Sequence, residues 1–139
     1  MVQELKKIDR TVRAHEAAHM AAGAGMTSGA TFTYQRGPDG GNYAVGGEVR
    51  INSSGARTPE EAIHKARKIR AAALAPADPS GQDRAVAAAA TAMEQQAMAQ
   101  SAKMKAEEAI DRGQAKSSAV ANAYGTEDER VGTLLNSYA

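Results

Sequence analysis

The chain has 139 residues, a formal net charge of +1 and no cysteine, which bounds it to one modest domain and excludes disulfides, thiolate metal sites and cysteine nucleophiles. Near-balanced charge without a basic block argues against nucleic-acid binding, and no apolar run approaches the length that crosses a bilayer. Hydrophobic residues make up 42% of the chain, but with one Phe, four Tyr and no Trp much of that share is alanine, so a thin core is expected. A buried Leu or Phe contributes about 1.5–3 kcal/mol and an alanine much less, which leaves a bound metal or a partner surface to supply part of the stability.

The N-terminus, MVQELKKIDR, lacks the apolar stretch of a secretory signal, so the default expectation is a cytoplasmic protein, with leaderless export left open. Residues 4 to 22 carry strong helix formers up to the Gly23 and Gly25 pair and predict a first helix. At about 100° per residue, Leu5, Ile8, Val12, His15 and His19 share one sector of about 80° expected to face the core, with Glu16 just beyond its edge.

From residue 30 to 51 the texture changes to ATFTYQ, then RGPDGGN, then YAVGGEVRIN, predicting a β-hairpin around a Gly-Pro-Asp-Gly turn. Alternation puts Tyr43, Val45, Gly47, Val49 and Ile51 on one face and Ala44, Gly46, Glu48 and Arg50 on the other. Thr58, Pro59 and Glu61 read as the start of a second helix running to about Leu74. Pro76 and Pro79 break the chain, and Asp78 or Ser80 then caps a long helical arm, packed through small residues and ended by Gly113. Residues 113–139 read as a weakly ordered or partly helical tail with little to bury beyond Val131, Leu134, Leu135 and Tyr138. The expected fold class is α+β, mainly α, with a helix, one β-hairpin, a second helix and a long helical arm making residues 1–112 one minimal domain.

The chemistry sits in the first helix, in HEAAH. Residues four apart share a helix face, so His15 and His19 can aim their imidazoles at one point while Glu16 lies to the side, within reach of a metal-bound water. Zinc accepts neutral imidazole nitrogens, keeps an open position when catalytic and brings its water to a pKa of about 7. Glu16 is the expected general base. The alternative, two ordinary helix histidines, leaves polar rings on an inward stripe, where burial without a partner costs a few kcal/mol.

A third ligand is required. The longer HExxHxxGxxH pattern is absent, with Ala22 in place of its Gly and Gly25 in place of its third His. Downstream candidates are Glu48, Glu60, Glu61, His64, Asp78 and Asp83. Glu48, in the glycine-flanked GGEV strand, is favoured, since glycines admit another backbone or a ligand closely; Asp78 is the alternative, although it serves equally as a helix cap. His64 reads as an exposed helix residue. Tyr34 and Tyr43 flank the hairpin turn and are candidates to hydrogen-bond an oxyanion or substrate, though cross-strand packing is the commoner role. Arg70 is a further candidate to steady a carboxylate, against the ordinary expectation of an exposed helix arginine.

From about Val12 to Met93 the chain also resembles the SprA-related family of bacterial metalloproteases, in RAHEAAHMAAG, TYQRGPDGGNYAVGGEVRI and RAAALAPADPSGQDRAVAAAA. The resemblance implies a zinc-peptidase-like domain named for its HExxH, here His15, Glu16 and His19. It also implies a role near the metal for Gly46, Gly47 and Glu48 and for the turn from Ala75 to Ser80. The leading expectation is a zinc-dependent endopeptidase acting on peptide or protein substrates. Its rival is a non-catalytic module in which zinc staples a thin core and the long helix serves a protein partner or a second copy of the chain.

Overall fold

In the computed structural model the backbone is described for residues 1–137 and the side chains for residues 1–119; Tyr138 and the side chains of Val131, Leu134 and Leu135 lie outside the described residues. The element order is α1 (Val2–Ala22), β1 (Thr31–Arg36), β2 (Asn42–Glu48), α2 (Pro59–Ala73) and α3 (Gly81–Ser137), with β1 and β2 antiparallel. The fold class is the expected one: mainly helical, with a single two-stranded hairpin among the described residues. Met1–Ala99 forms one compact unit and Gln100–Ala139 a second. No helix among the described residues is long and apolar enough to cross a membrane.

Helix α1 ends where the glycines begin: the Gly23 N–H donates to the His19 carbonyl at 2.9 Å. A Cβ on Gly23 would stand 2.6 Å from Thr27 Cγ2 and 3.0 Å from the Ala72 Cβ, so the missing side chain lets the end of α1 approach the end of α2. The inward stripe of α1 is rotated from expectation: Leu5, Glu16 and His19 are buried, whereas Ile8 is exposed. The cause is what α1 packs against, β2 and α2. Asp9 accepts a hydrogen bond from the Ala44 N–H at 2.8 Å, which draws the Asp9 and Glu16 side of the helix against the hairpin.

The hairpin turn contains Gly40 at φ +80°, a conformation glycine adopts without steric penalty. Its register pairs Thr33 with Gly46 and Tyr34 with Ala44, leaving Val45 unpaired as a bulge. A bulged residue breaks the two-residue alternation of a strand. Ala44, fully buried, and Gly47, three residues on, therefore both turn toward α1. Strict alternation would instead group Ala44 with Glu48.

Helix α2 starts as expected: Thr58 Oγ1 accepts from the Glu61 N–H at 3.1 Å, and Pro59 occupies the first turn. Its inner face is Ala66, Ile69, Ala72 and Ala73. On its other side Arg70 is half-buried and reaches Glu94 of α3 at 2.8 Å and the Thr91 hydroxyl at 3.3 Å, so this arginine ties two helices together. The buried apolar side chains among the described residues are Leu5, Ile69, Pro76 and seven alanines. The core is as thin as the composition implies.

Ser80 and Asp83 open α3 with reciprocal bonds: the Asp83 N–H donates to Ser80 Oγ at 3.0 Å and the Ser80 N–H donates to Asp83 Oδ2 at 2.9 Å. This is a capping box with Asp in the place of Glu. Gly113 does not end α3, which continues to Ser137. One interior glycine costs about 1 kcal/mol relative to alanine, too little to break a run of good helix formers. Side chains 102 to 119 of the second unit are exposed.

Candidate metal centre

Three elements meet at the C-terminal half of α1. The imidazoles of His15 and His19 lie edge to face with ring centres 4.8 Å apart, and the capping box at the start of α3 holds the Asp83 carboxylate between them. His15 Nε2 is 3.0 Å from Asp83 Oδ2, and His19 Nε2 is 3.3 Å from Asp83 Oδ1. One ligand atom from each of His15, His19 and Asp83 falls within a mutual 4.8 Å, a grouping able to hold a metal ion.

Tautomer chemistry makes this grouping more than a triangle of polar residues. His19 Nδ1 is 2.7 Å from the Ala72 carbonyl oxygen. A carbonyl only accepts, so Nδ1 carries the proton, and in the neutral ring Nε2 presents a lone pair to the carboxylate. Two acceptors at 3.3 Å repel unless a cation lies between them, either an imidazolium proton or a metal. A carbonyl holding the far nitrogen of a metal-binding histidine is the usual way its ring is oriented. Zinc bonds of about 2.0–2.1 Å in a tetrahedron separate ligand atoms by about 3.3–3.4 Å; each histidine stands near that distance from a different Asp83 oxygen, 3.0 Å to Oδ2 and 3.3 Å to Oδ1, while one atom from each of the three residues spans up to 4.8 Å.

The charge balance points the same way. The surrounding cavity is lined by three carboxylates, Glu16, Glu48 and Asp83, and by no lysine or arginine. Burial pushes the Asp83 carboxyl up, but its backbone and side-chain hydrogen bonding with Ser80, the adjacent His19 ring and the bond to His15 outweigh it and hold the group below the usual carboxylate value. It is therefore an anion at neutral pH.

Glu16 lies beside this set, 4% exposed, without a hydrogen-bond or ion-pair partner among the described residues, and its carboxylate lines the cavity. It fits because residue 47 is glycine: a Cβ there would stand 2.8 Å from Glu16 Cγ and 2.9 Å from Oε1.

His15, Glu16 and His19 thus come together as the motif implies, and the acid grouped with the two histidines is Asp83, not the favoured Glu48. Glu48 reaches the cavity wall, but its side chain is 58% exposed and faces Arg50 at 3.8 Å; the bulge at Val45 brings Gly47, not Glu48, against α1. Asp78 is exposed in the turn before α3 and lies outside the grouping. Neither tyrosine lines the cavity. The Tyr43 hydroxyl donates to Asp39 within the hairpin turn, and Tyr34 is half-exposed and tilted against Phe32 at 6.2 Å. They do not pair across the strands either, since Tyr34 opposes Ala44 and Tyr43 opposes Gln35. His64 is exposed. The signal for Asp83 was in the sequence, in Ser80 followed three residues later by an acid at a helix start.

A family model described as the SprA-related family matches residues 1–125. The chain belongs to the SprA-related family. No curated protein and no solved structure shows significant similarity to it. The matched span includes every residue of the His15, Glu16, His19 and Asp83 constellation.

Proposed function

We propose that this SprA-related protein is a zinc-dependent metallopeptidase in which His15, His19 and Asp83 hold the metal and Glu16 is the general base. The observation that carries the reading is Glu16, a residue only 4% exposed whose carboxylate faces the cavity without a protein partner among the described residues, beside three converging ligand atoms. A carboxylate that meets only the cavity is placed to exchange a proton with what the cavity holds. When bound, zinc supplies Lewis acidity, lowering the pKa of a coordinated water to about 7 and polarising a peptide carbonyl.

The chain's own groups divide the rest of the work. Ala72 holds His19 in the tautomer whose Nε2 is free, and Ser80 fixes Asp83 from the first turn of α3. Glu16 takes a proton from the attacking water and delivers it to the leaving amine. With His15, His19 and Asp83 as its protein ligands, a bound zinc would be of the catalytic kind, which takes three protein ligands, and not of the structural kind, which takes four.

The rival reading, a closed zinc staple in a non-catalytic module, draws support from the alanine core. It gives Glu16 no role. Elemental analysis and peptide hydrolysis on one set of proteins separate the two. The peptidase reading expects about one zinc per chain, lost in His19→Ala and Asp83→Asn, with turnover abolished and zinc retained in Glu16→Gln. Bound zinc without hydrolysis of any peptide in a diverse mixture sinks the catalytic assignment, and absence of zinc uptake sinks both.

A further inference from the structure

One carboxylate on the cavity wall has no task in the proposed reaction. Asp83 is grouped with the two histidines and Glu16 is the general base, but Glu48 lines the same cavity. A divalent ion held by His15, His19 and Asp83 neutralises two of the three carboxylates and leaves one negative charge. The other polar side chains of the wall, Ser80 and Gln82, are neutral, and no lysine or arginine lines it. We infer that Glu48 recognises a cationic group of the substrate, an α-ammonium or a Lys or Arg side chain, within about one residue of the bond that is cut. The inference rests on the peptidase reading and names the substrate charge that reading selects.

Glu48 is free to take such a group. Its ion-pair contact with Arg50 is 3.8 Å long, beyond hydrogen-bond distance, and joins an Arg50 side chain that is 87% exposed to a Glu48 side chain that is 58% exposed. Ion pairs this open contribute little, so a substrate cation can replace Arg50 at small cost. The negative charge of the cavity is not confined to its exposed edge either: Glu16 is 4% exposed and faces the same space with no protein partner among the described residues.

Chain geometry sets where the cation must lie. Gly47 is packed on the general base, since a Cβ there would stand 2.8 Å from Glu16 Cγ. Glu48 is the next residue, and consecutive Cα atoms are about 3.8 Å apart. The acid therefore stands about one residue from the group that moves the proton. An Asp or Glu side chain at that place is repelled and a neutral one gains nothing from the charge, so a cation alone is favoured by it.

The test reads binding apart from turnover. Zinc-loaded Glu16→Gln protein, which keeps Glu48 and Asp83, is titrated by calorimetry with two sets of hexapeptides. The first set is capped at both ends and carries a central Lys, norleucine or Glu; the second is one neutral sequence with a free or an acetylated N-terminus. Wild-type protein is incubated in parallel with a peptide mixture, and new termini are read by mass spectrometry. The cationic member of at least one set should bind roughly fivefold more tightly than its neutral counterpart, and the set that shows it separates a side-chain cation from the α-ammonium. Raising the salt concentration should shrink that preference. Adding Glu48→Gln should remove it and adding Glu48→Lys should reverse it, both with zinc content unchanged. Cut bonds should be flanked by Lys or Arg on one side, or lie next to free N-termini, to match. Equal affinities within both sets, a preference that survives Glu48→Gln, or zinc lost in that variant overturns the assignment. Cleavage without either enrichment overturns it while leaving the peptidase reading in place. A cation preference that depends on Glu48, with no new termini from the wild type, supports the cation site and refutes the peptidase reading.

Discussion

Replacing Gly47 by alanine puts a methyl group 2.8 Å from Cγ, 2.9 Å from Oε1 and 3.1 Å from Cδ of Glu16. Non-bonded carbons settle at about 3.5–4.0 Å, so the Glu16 side chain must retreat by about 0.7–1.2 Å. Gly47 does not have a positive φ, so alanine brings no backbone strain and the contact alone is perturbed. With Glu16 only 4% exposed, the retreat pushes on packed neighbours, an overpacking cost of about 1–3 kcal/mol. The assay is a double-mutant cycle by denaturant melts of wild type, Gly47→Ala, Glu16→Ala and the double variant. Removing the Glu16 side chain removes the clash, so Gly47→Ala should then cost less than about 0.5 kcal/mol, leaving a coupling energy of about 0.5 kcal/mol or more. An equal cost in both backgrounds would refute the argument that Gly47 exists to seat Glu16. In hydrolysis assays Gly47→Ala should retain zinc yet lose on the order of 10²-fold in kcat/KM, the usual penalty for misplacing a reacting group by about 1 Å.

Zinc should raise the melting temperature of the wild type and of Glu48→Ala, by the equivalent of about 2.7 kcal/mol at a hundredfold excess over Kd, and leave His19→Ala and Asp83→Asn unmoved; a zinc response lost in Glu48→Ala would return the third-ligand role to that residue. Ser80→Ala removes the hydroxyl that accepts from the Asp83 N–H at 3.0 Å. It should cost about 0.5–2 kcal/mol in the melt and weaken zinc binding by about 10–100-fold in a competition titration, and unchanged affinity would show that Asp83 is positioned without its cap. The carboxyl of Glu94 is pushed up by burial but held below its ordinary value of 4.5 by hydrogen bonds from Arg67 and Arg70 and by their charges. A depressed folded-state value contributes stability that is fully present above the unfolded value and lost as pH falls through the folded one. The melting-temperature gap between wild type and Glu94→Gln should therefore be widest near neutrality and shrink below about pH 4, and a gap constant with pH would contradict the pairing.

Local signals in the sequence determined the order and type of the elements, because each rests on contacts within a few residues: the hairpin turn, the Thr58 cap with Pro59, the glycine stop after α1. HEAAH likewise brought two histidines to one face by helix geometry alone. Where sequence reasoning failed, the missing information was non-local. The stripe of α1 rotated because Asp9 finds the Ala44 N–H across the fold. The β2 alternation failed because Val45 has no partner on β1, a fact of pairing that no single strand records, and with it Glu48 lost its place to Gly47. Asp83 sits 68 residues from His15. Its capping box was legible, but its approach to the histidines needed the Pro76 to Pro79 turn and the close packing of α1 on α2 at Gly23. Composition alone determined the thin alanine core. Only the tertiary structure decided which acid stands beside the two histidines, because such a grouping is defined by convergence in space, and the chain brings distant residues together only after its helices have packed.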